Sequence, residues 1–319
     1  EELDGEQFGL PMNTVERQPL TFDLSSPLRL AVEKSKQDKV QSLTVRGDYG
    51  ETTIDMLSGE IKSYKYHGRE LLSSPVRLNF WRLPTDNDLA EGSVARAWQQ
   101  LHPDQLQRHL TDIAYRQIDS NRVAVDMMAR YATASGATLM DVRQTLLFLS
   151  TGDIVMSCDV VAGEALSSVA RVGVQMQVAK ALDNVRWMGA DIESYADRCG
   201  GVRIAVHEAK ADAMTYRYHR PQEAGSRCLT RWVSLSDAST GLMVHMLDSL
   251  VSFSVSPYDD RSLSKADSYS KAKPANAWIL NVDSRMSGIG SARGGLDISE
   301  KDVISERRMH FVALLVAYV

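Results

Sequence analysis

Residues 171–178, "RVGVQMQV", set Val172, Val174, Met176 and Val178 against Gly173, Gln175 and Gln177. A period of two places the four apolar side chains on one face of a β-strand and the amides on the other. The same alternation runs through "RVAVDMMARY" (122–131), "RQTLLFLSTGDIVMSCDVV" (143–161), "GLMVHML" (241–247) and the terminal "RRMHFVALLVAYV" (307–319). Thr151-Gly152-Asp153 and Ser58-Gly59 fall between such runs, as in antiparallel hairpins. A helical period stands out once: Val94, Ala97, Trp98 and Leu101 lie at i, i+3, i+4 and i+7, with Ser93 as a candidate N-cap. Many strands, few helices and no strand–helix alternation predict an all-β chain. Its expected form is two large antiparallel sheets packed face to face, with one short helix near 93–101.

Working outward from those strands, 319 residues of which 44% are hydrophobic and 24% charged can bury a sizeable core, in one large domain or two. Lys+Arg 36 against Asp+Glu 41 leaves a net charge of -5 without any basic run, which argues against nucleic acid as a partner. No apolar stretch approaches the roughly 20 residues of a membrane-spanning helix. The opening "EELDGEQF" has neither the charged nor the apolar region of a signal peptide and does not begin with Met, as expected of a piece of a longer chain. Cytoplasm and periplasm both stay open as compartments. Cys158, Cys199 and Cys228 are odd in number and lack C-x-x-C spacing, so free thiols, buried or half-buried, are the expectation. Pro11, Pro19 and Pro27 punctuate a polar run over 11–42, read as a connecting arm on the surface.

Acidic pairs are the first candidates for chemistry, because glycosidic hydrolysis generally uses two carboxyl groups. Asp86 and Asp88 of "PTDND" would share a face of a strand, yet the stretch is also strong turn chemistry, in which such acids bond nearby backbone. Asp259-Asp260 after Pro257 reads as a solvated turn, and Glu193 and Asp197 form a third acidic pair. A G-x-S-x-G nucleophile motif is absent, and "GIGSARGG" (288–295) reads as a turned loop rather than a nucleotide cradle. His219, beside Arg220, is the best-placed histidine for acid–base work, and a structural role competes with that reading. "YHRPQEAGSRCLTRW" (218–232) concentrates Arg220, Glu223, Arg227 and Arg231, which points to a buried arginine–carboxylate lattice bracing a loop ahead of direct substrate contact. Scattered histidines and cysteines predict no metal site.

These stretches carry a family likeness. "FWRLPTDND" (80–88), "VRWMGADIESYADR" (185–198), "RPQEAGSRCLTRW" (220–232), "SPYDDRSL" (256–263) and "LNVDSRMSGIGS" (280–291) resemble, in order, five motifs of the C-terminal domain of large family 2 β-galactosidases. The likeness covers 43–319, and "GEQFGLP" (5–11) is similar to the end of the Ig-like domain that precedes it in that family. It implies a remnant of that domain at 1–10, the connecting arm at 11–42, and a β-sandwich of the galactose-mutarotase-like type, a supersandwich, at 43–319. It also implies a pocket-lining, assembly-supporting domain of a β-galactosidase, with no catalytic residue in this chain. The catalytic glutamates, with the magnesium and sodium sites, would belong to a TIM barrel elsewhere in the parent chain.

Asp86, Asn87, Asp88, Arg293 and Gly295 are the implied pocket wall, and Arg220, Glu223, Arg227 and Arg231 the implied support. Implied partners are a β-galactoside or related glycan, the barrel and Ig-like domains, and, as an open alternative, further copies of the chain. Two departures stand out. Counting places Gly295 where the family carries a pocket Trp, and "WMGADIESY" lacks the family's Gly-Pro pair. "YATASGA" (131–137) is expected as a mobile loop over the sugar site. Two other functions compete: a stand-alone carbohydrate-binding module, and an aldose-epimerase-like enzyme, which would need a histidine and a carboxylate converging in a cleft.

Overall fold

The structure, a computed structural model, describes residues 26–34, 36–291 and 294–319. Strands β1 (Arg29–Lys34), β2 (Val40–Arg46), β3 (Gly50–Asp55), β4 (Glu60–Tyr66) and the two-residue β5 (Arg69–Glu70) pair in that order as an antiparallel sheet. The arm expected over 11–42 therefore ends sooner, because 29–34 and 40–42 are strand. Leu30, Val32 and Val40 pack on the core, an alternation that the neighbouring lysines and prolines disguise. Residues 1–25, with the expected Ig-like remnant, lie outside the described residues.

The chain continues through β6 (Leu72–Asn79), helix α1 (Val94–Gln99) and the long hairpins β7 (Gln107–Asp119), β8 (Arg122–Ala132), β9 (Thr138–Leu149) and β10 (Ile154–Ala162). It then forms β11 (Arg171–Ala179), β12 (Asn184–Ala190), β13 (Ile204–Lys210), β14 (Arg227–Thr230), β15 (Trp232–Ser236), β16 (Gly241–Met246) and β17 (Val251–Ser256). The one-turn helix α2 (Asp260–Leu263), β18 (Ala277–Met286) and β19 (Arg308–Tyr318) complete it. A nine-stranded sheet runs β13-β12-β15-β16-β19-β10-β9-β8-β7, and a second five-stranded sheet runs β14-β17-β18-β11-β6.

One continuous core fills the space between the nine-stranded sheet and the two smaller ones. The expected all-β sandwich is present, with its second layer divided in two. Alternation explains the register. Val174 sits opposite Val282, Met176 opposite Leu280 and Val178 opposite Trp278, all facing the core. Across the layer Ile154 pairs with Leu315 and Cys158 with Phe311, and Phe311 is fully buried. Burying a side chain of that size contributes about 1.5–3 kcal/mol. Cys158 and Cys228 are buried and Cys199 is half-buried, and all three are free thiols.

Helix α1 occupies the predicted stretch, but Ser93 does not cap it. The Ser93 hydroxyl donates to the Asp88 carbonyl (2.7 Å), and the Asp297 carboxylate accepts from the Val94 N–H (2.6 Å) instead. A residue from a distant loop thus takes the capping role. It ties the 294–298 loop to the start of the helix.

Candidate functional site

Loops 80–91, 191–198, 218–226 and 287–298 are knitted together by side-chain bonds between them. Two arginines form the centre, and both are fully buried. Arg82 donates through Nη2 to Asp88 Oδ1 (2.8 Å) and to the Gly288 carbonyl (2.9 Å), and through Nη1 to the Ser287 carbonyl (3.3 Å). The other Asp88 oxygen accepts from the Thr85 N–H (2.8 Å), and Thr85 Oγ1 accepts from the Asp88 N–H (3.2 Å). Asp88 was expected on the pocket wall; it faces inward at 1% exposure instead, because Arg82 requires a buried counter-charge.

Arg171 is held by three acids. Its Nη2 donates to Glu223 Oε2 (3.0 Å), its Nε lies 3.6 Å from Asp283 Oδ1, and its Nη1 lies 4.0 Å from Asp260 Oδ2. Gly173 makes this possible: a Cβ there would stand 2.5 Å from Asp283 Cα and 2.8 Å from its carboxylate. One guanidinium cannot neutralise three carboxylates in a dry site, so the acids hold protons more tightly. Burial, then the neighbouring Glu223, raises Asp260 to about 7; burial likewise raises Asp283 to about 7, and Glu223 is shifted upward as well. Asp260 is therefore not in the solvated turn that Pro257-Tyr258-Asp259-Asp260 suggested. Asp259 alone behaves as turn chemistry, accepting from the Ser262 N–H (3.1 Å) to cap α2.

Around this centre, acids serve backbone and tyrosines. Glu193 accepts from the Tyr195 hydroxyl (2.8 Å), the Tyr218 hydroxyl (3.1 Å) and the Gly225 N–H (2.8 Å). Burial, followed by Glu193, pushes the Tyr218 phenol up to about 12. Asp197 accepts from the N–H groups of Ile289 (3.1 Å) and Gly290 (2.8 Å). It lies so close to Gly288 that a Cβ there would stand 2.6 Å from its carboxyl carbon. The Gly290 carbonyl accepts from Asn87 Nδ2 (2.7 Å) and from Arg198.

The expected support residues divide. Glu223 is buried and paired, though its partner is Arg171 rather than an arginine of its own stretch. Arg227 is buried but held by the carbonyls of Met214 (3.0 Å) and Gly225 (2.9 Å), with its guanidinium 5.1 Å from the Trp187 ring centre. Arg220 is not buried: its side chain is 56% exposed and meets the 43% exposed Asp86 at 3.2 Å. Arg231 is half-buried between β14 and β15, beside His245, whose pKa is lowered by burial and then by Arg231.

Of the expected wall, Asp86 and Asn87 are partly exposed and Gly295 is exposed, beside Leu296, which is 87% exposed; Arg293 lies outside the described residues. His219 and Arg220 border an open cleft of about 710 Å³ with Trp81, His102 and Asp104. Tyr131 and Ala132, expected within a mobile loop, are buried strand residues. The loop itself, 133–137, is closed by N–H bonds from Thr133 to Ala137 O and from Gly136 to Thr133 O (both 2.9 Å). Among the described residues no three His, Cys, Asp or Glu side chains are grouped to hold a metal ion. No helix there is long and apolar enough to cross a membrane.

Sequence reading missed Arg82, Arg171, Asp260 and Asp283 as the organising charges. The available signal was charge placed inside apolar strand ends: Arg171 follows Ala170 and precedes Val172, and Asp283 follows Val282.

Comparison with known proteins identifies the family and the fold. A β-galactosidase from Priestia megaterium is 27% identical over 255 residues, covering 78% of this chain and 24% of that protein. One from Actinobacillus pleuropneumoniae is 26% identical over 253 residues, covering 78% of this chain and 24% of that protein. The chain thus spans about a quarter of the length of these curated relatives. In fold it is similar to the galactose 1-epimerase of Lactobacillus acidophilus NCFM, with a TM-score of 0.50 at 9% identity, covering 92% of this chain and 99% of that one. The family model for the beta galactosidase small chain matches residues 46–315, and the chain belongs to that family.

Proposed function

We propose that this chain is the non-catalytic C-terminal domain of a multidomain β-galactosidase-type glycoside hydrolase. In this reading its loop cluster forms one wall of the sugar pocket and braces the assembly. The observation that carries the reading is how the acids of the cluster are employed. Asp88 serves Arg82, Glu223 serves Arg171, Asp197 holds the backbone of 289–290, and Glu193 holds two tyrosines and Gly225. Hydrolysis generally needs two carboxyl groups flanking the scissile bond, one as acid and one as base or nucleophile. Acids already engaged in buried structural bonds are poor candidates for either role. Asp86, Asn87, Gly295 and Leu296 are the exposed parts of the cluster that could face a sugar held by another domain. Magnesium and sodium, where the parent enzyme uses them, would be held by residues outside this chain.

The test is a chimera. In the P. megaterium enzyme the matching quarter is deleted, or replaced by this chain, and turnover of a chromogenic β-galactoside is measured. The chain alone and the deleted enzyme should be inactive, and the chimera active. Turnover by the chain alone, or no recovery in a soluble chimera, would refute the proposal.

A further inference from the structure

The amides that alternate with the core residues of β11 lie on the outer face of the smaller sheet, where they join a network. Asn79 Nδ2 (3.1 Å) and Gln175 Nε2 (3.0 Å) both donate to Asn281 Oδ1, and Asn281 Nδ2 donates to Ser254 Oγ (3.3 Å). Arg77 and Gln177 flank this network. With Trp81 and Asp260 they line a cleft of about 100 Å³. Asp260 reaches the cleft from the Arg171 side, and its Oδ2 has no hydrogen-bond partner among the described residues. The Arg77 charge is met by Glu60 at 3.1 Å.

This chemistry is selective. Side-chain amides each present a donor and an acceptor, which matches hydroxyl groups, themselves both donors and acceptors. Gln175 and Gln177 stand on one face of a strand, roughly 7 Å apart at two residues of rise, so together they can address opposite ends of one ring. Trp81, Pro103 and Leu106 supply an apolar side to the cleft. A few convergent polar groups against an apolar wall line the cleft as they line small-ligand sites, and at about 100 Å³ it can hold part of one ring rather than a larger ligand. An ionic ligand would gain little, since Arg77 is already paired.

We propose that this cleft is a second sugar site, taking one pyranose unit of a neutral glycan by its hydroxyl groups and separate from the wall at Asp86, Asn87 and Gly295. It requires only this chain, so it stands or falls independently of any partnership with a barrel.

The test titrates D-galactose, D-glucose and glycerol into the full chain while following the side-chain amide resonances of Asn79, Gln175 and Gln177 by NMR. At least one pyranose should shift these resonances saturably, and glycerol should not. Gln177→Ala should weaken binding about tenfold, equivalent to about 1.4 kcal/mol. Gln177→Glu, equal in size and carrying no donor, should weaken it too, and Asp86→Asn should leave it unchanged. Thermal melting of each variant checks that the fold is intact. Absence of saturable shifts, binding that survives both Gln177 variants, or binding lost with Asp86→Asn would overturn the proposal.

Discussion

Strands β8, β9 and β10 and the loop cluster around Arg82 and Arg171 are equally well buried at their centres, yet they are held by different forces. In the strands, Val125, Leu146, Met156 and their neighbours simply alternate with solvent-facing side chains, and each contact is a small, non-directional gain. In the cluster the backbone is largely irregular. Position is set by two buried guanidiniums, six engaged acids and the carbonyls and amides they bind. The first arrangement tolerates changes of shape poorly and changes of pH well. The second should tolerate changes of pH poorly, because each buried charge depends on the protonation of its partner.

The largest effects should expose that difference. Phe311→Ala removes a fully buried ring from the strand core, at a cost of about 3–5 kcal/mol that should vary little with pH. Arg171→Met strands Glu223, Asp260 and Asp283 without their cation, and removing one partner of a buried pair costs about 3–5 kcal/mol when the others are charged. At pH 5 the acids can hold protons, so the Arg171→Met penalty should shrink there. Urea unfolding of both variants at pH 5 and pH 8 decides the matter. Equal pH dependence in the two would break the comparison.

A related effect should appear in the unmodified protein. Asp260 and Asp283 are raised to about 7, well above the ordinary carboxyl value of 3.8. The folded state therefore binds more protons than the unfolded state between those values. Their contribution is fully present below about 4 and is lost as pH rises through 7, at about 1.4 kcal/mol per pH unit for each retained proton. His245 acts in the opposite direction, since burial lowers its pKa from 6.5 and its protonation opposes folding as pH falls. The comparison with Asp283→Asn removes that complication. This variant should flatten the stability profile between pH 5 and 7, and an unchanged slope would show that Asp283 is ionised throughout.

How much of this could be read in advance follows from the same contrast. A strand buried on one face must alternate, so 171–178, 122–131 and 307–319 announced their faces directly. β7 escaped notice because it is an edge strand with mostly exposed side chains, of which only Leu110 and Ile113 pack on the core. The cluster was visible only as ordered motifs, since its pairings are set by the fold. Glu223 lies 52 residues from Arg171, and nothing local favours that arginine over Arg220 or Arg227. "PTDND" was divided by the fold itself: Asp88 turns inward to Arg82, and Asp86 stays at the surface.

Between these extremes lies the cap that joins the cluster to regular structure. Asp297 accepts from the first N–H of α1 and sits beside the exposed Leu296. Asp297→Ala should cost about 1 kcal/mol, the usual cost of losing a cap. It should also free the 294–298 loop, measurable as faster amide exchange at Val94 and Ile298 (whose N–H also meets Asp297). Unchanged exchange at both sites would mean that the loop is held by the buried Ile298 alone.

The smallest effect on stability should come from the exposed pair at the proposed pocket wall. Arg220 and Asp86 meet at 3.2 Å with side chains 56% and 43% exposed, and solvent-exposed pairs contribute about 0–1 kcal/mol. Arg220→Ala should therefore leave the melting temperature of this chain nearly unchanged, in contrast to Arg171→Met in the neighbouring centre. Its consequence belongs to the proposed pocket wall. With Arg220 gone, Asp86 loses a contact that orients it, while the 85–87 turn retains ties to the other loops such as the Asp86 N–H to Gln222 (3.3 Å) and Asn87 to Gly290 (2.7 Å). In the active chimera the variant should raise KM severalfold with little change in kcat, as expected when a positioning contact outside the reacting groups is removed. A large loss of stability would mean that the pair supports the fold, and a loss confined to kcat would place Arg220 nearer the chemistry than its exposure suggests.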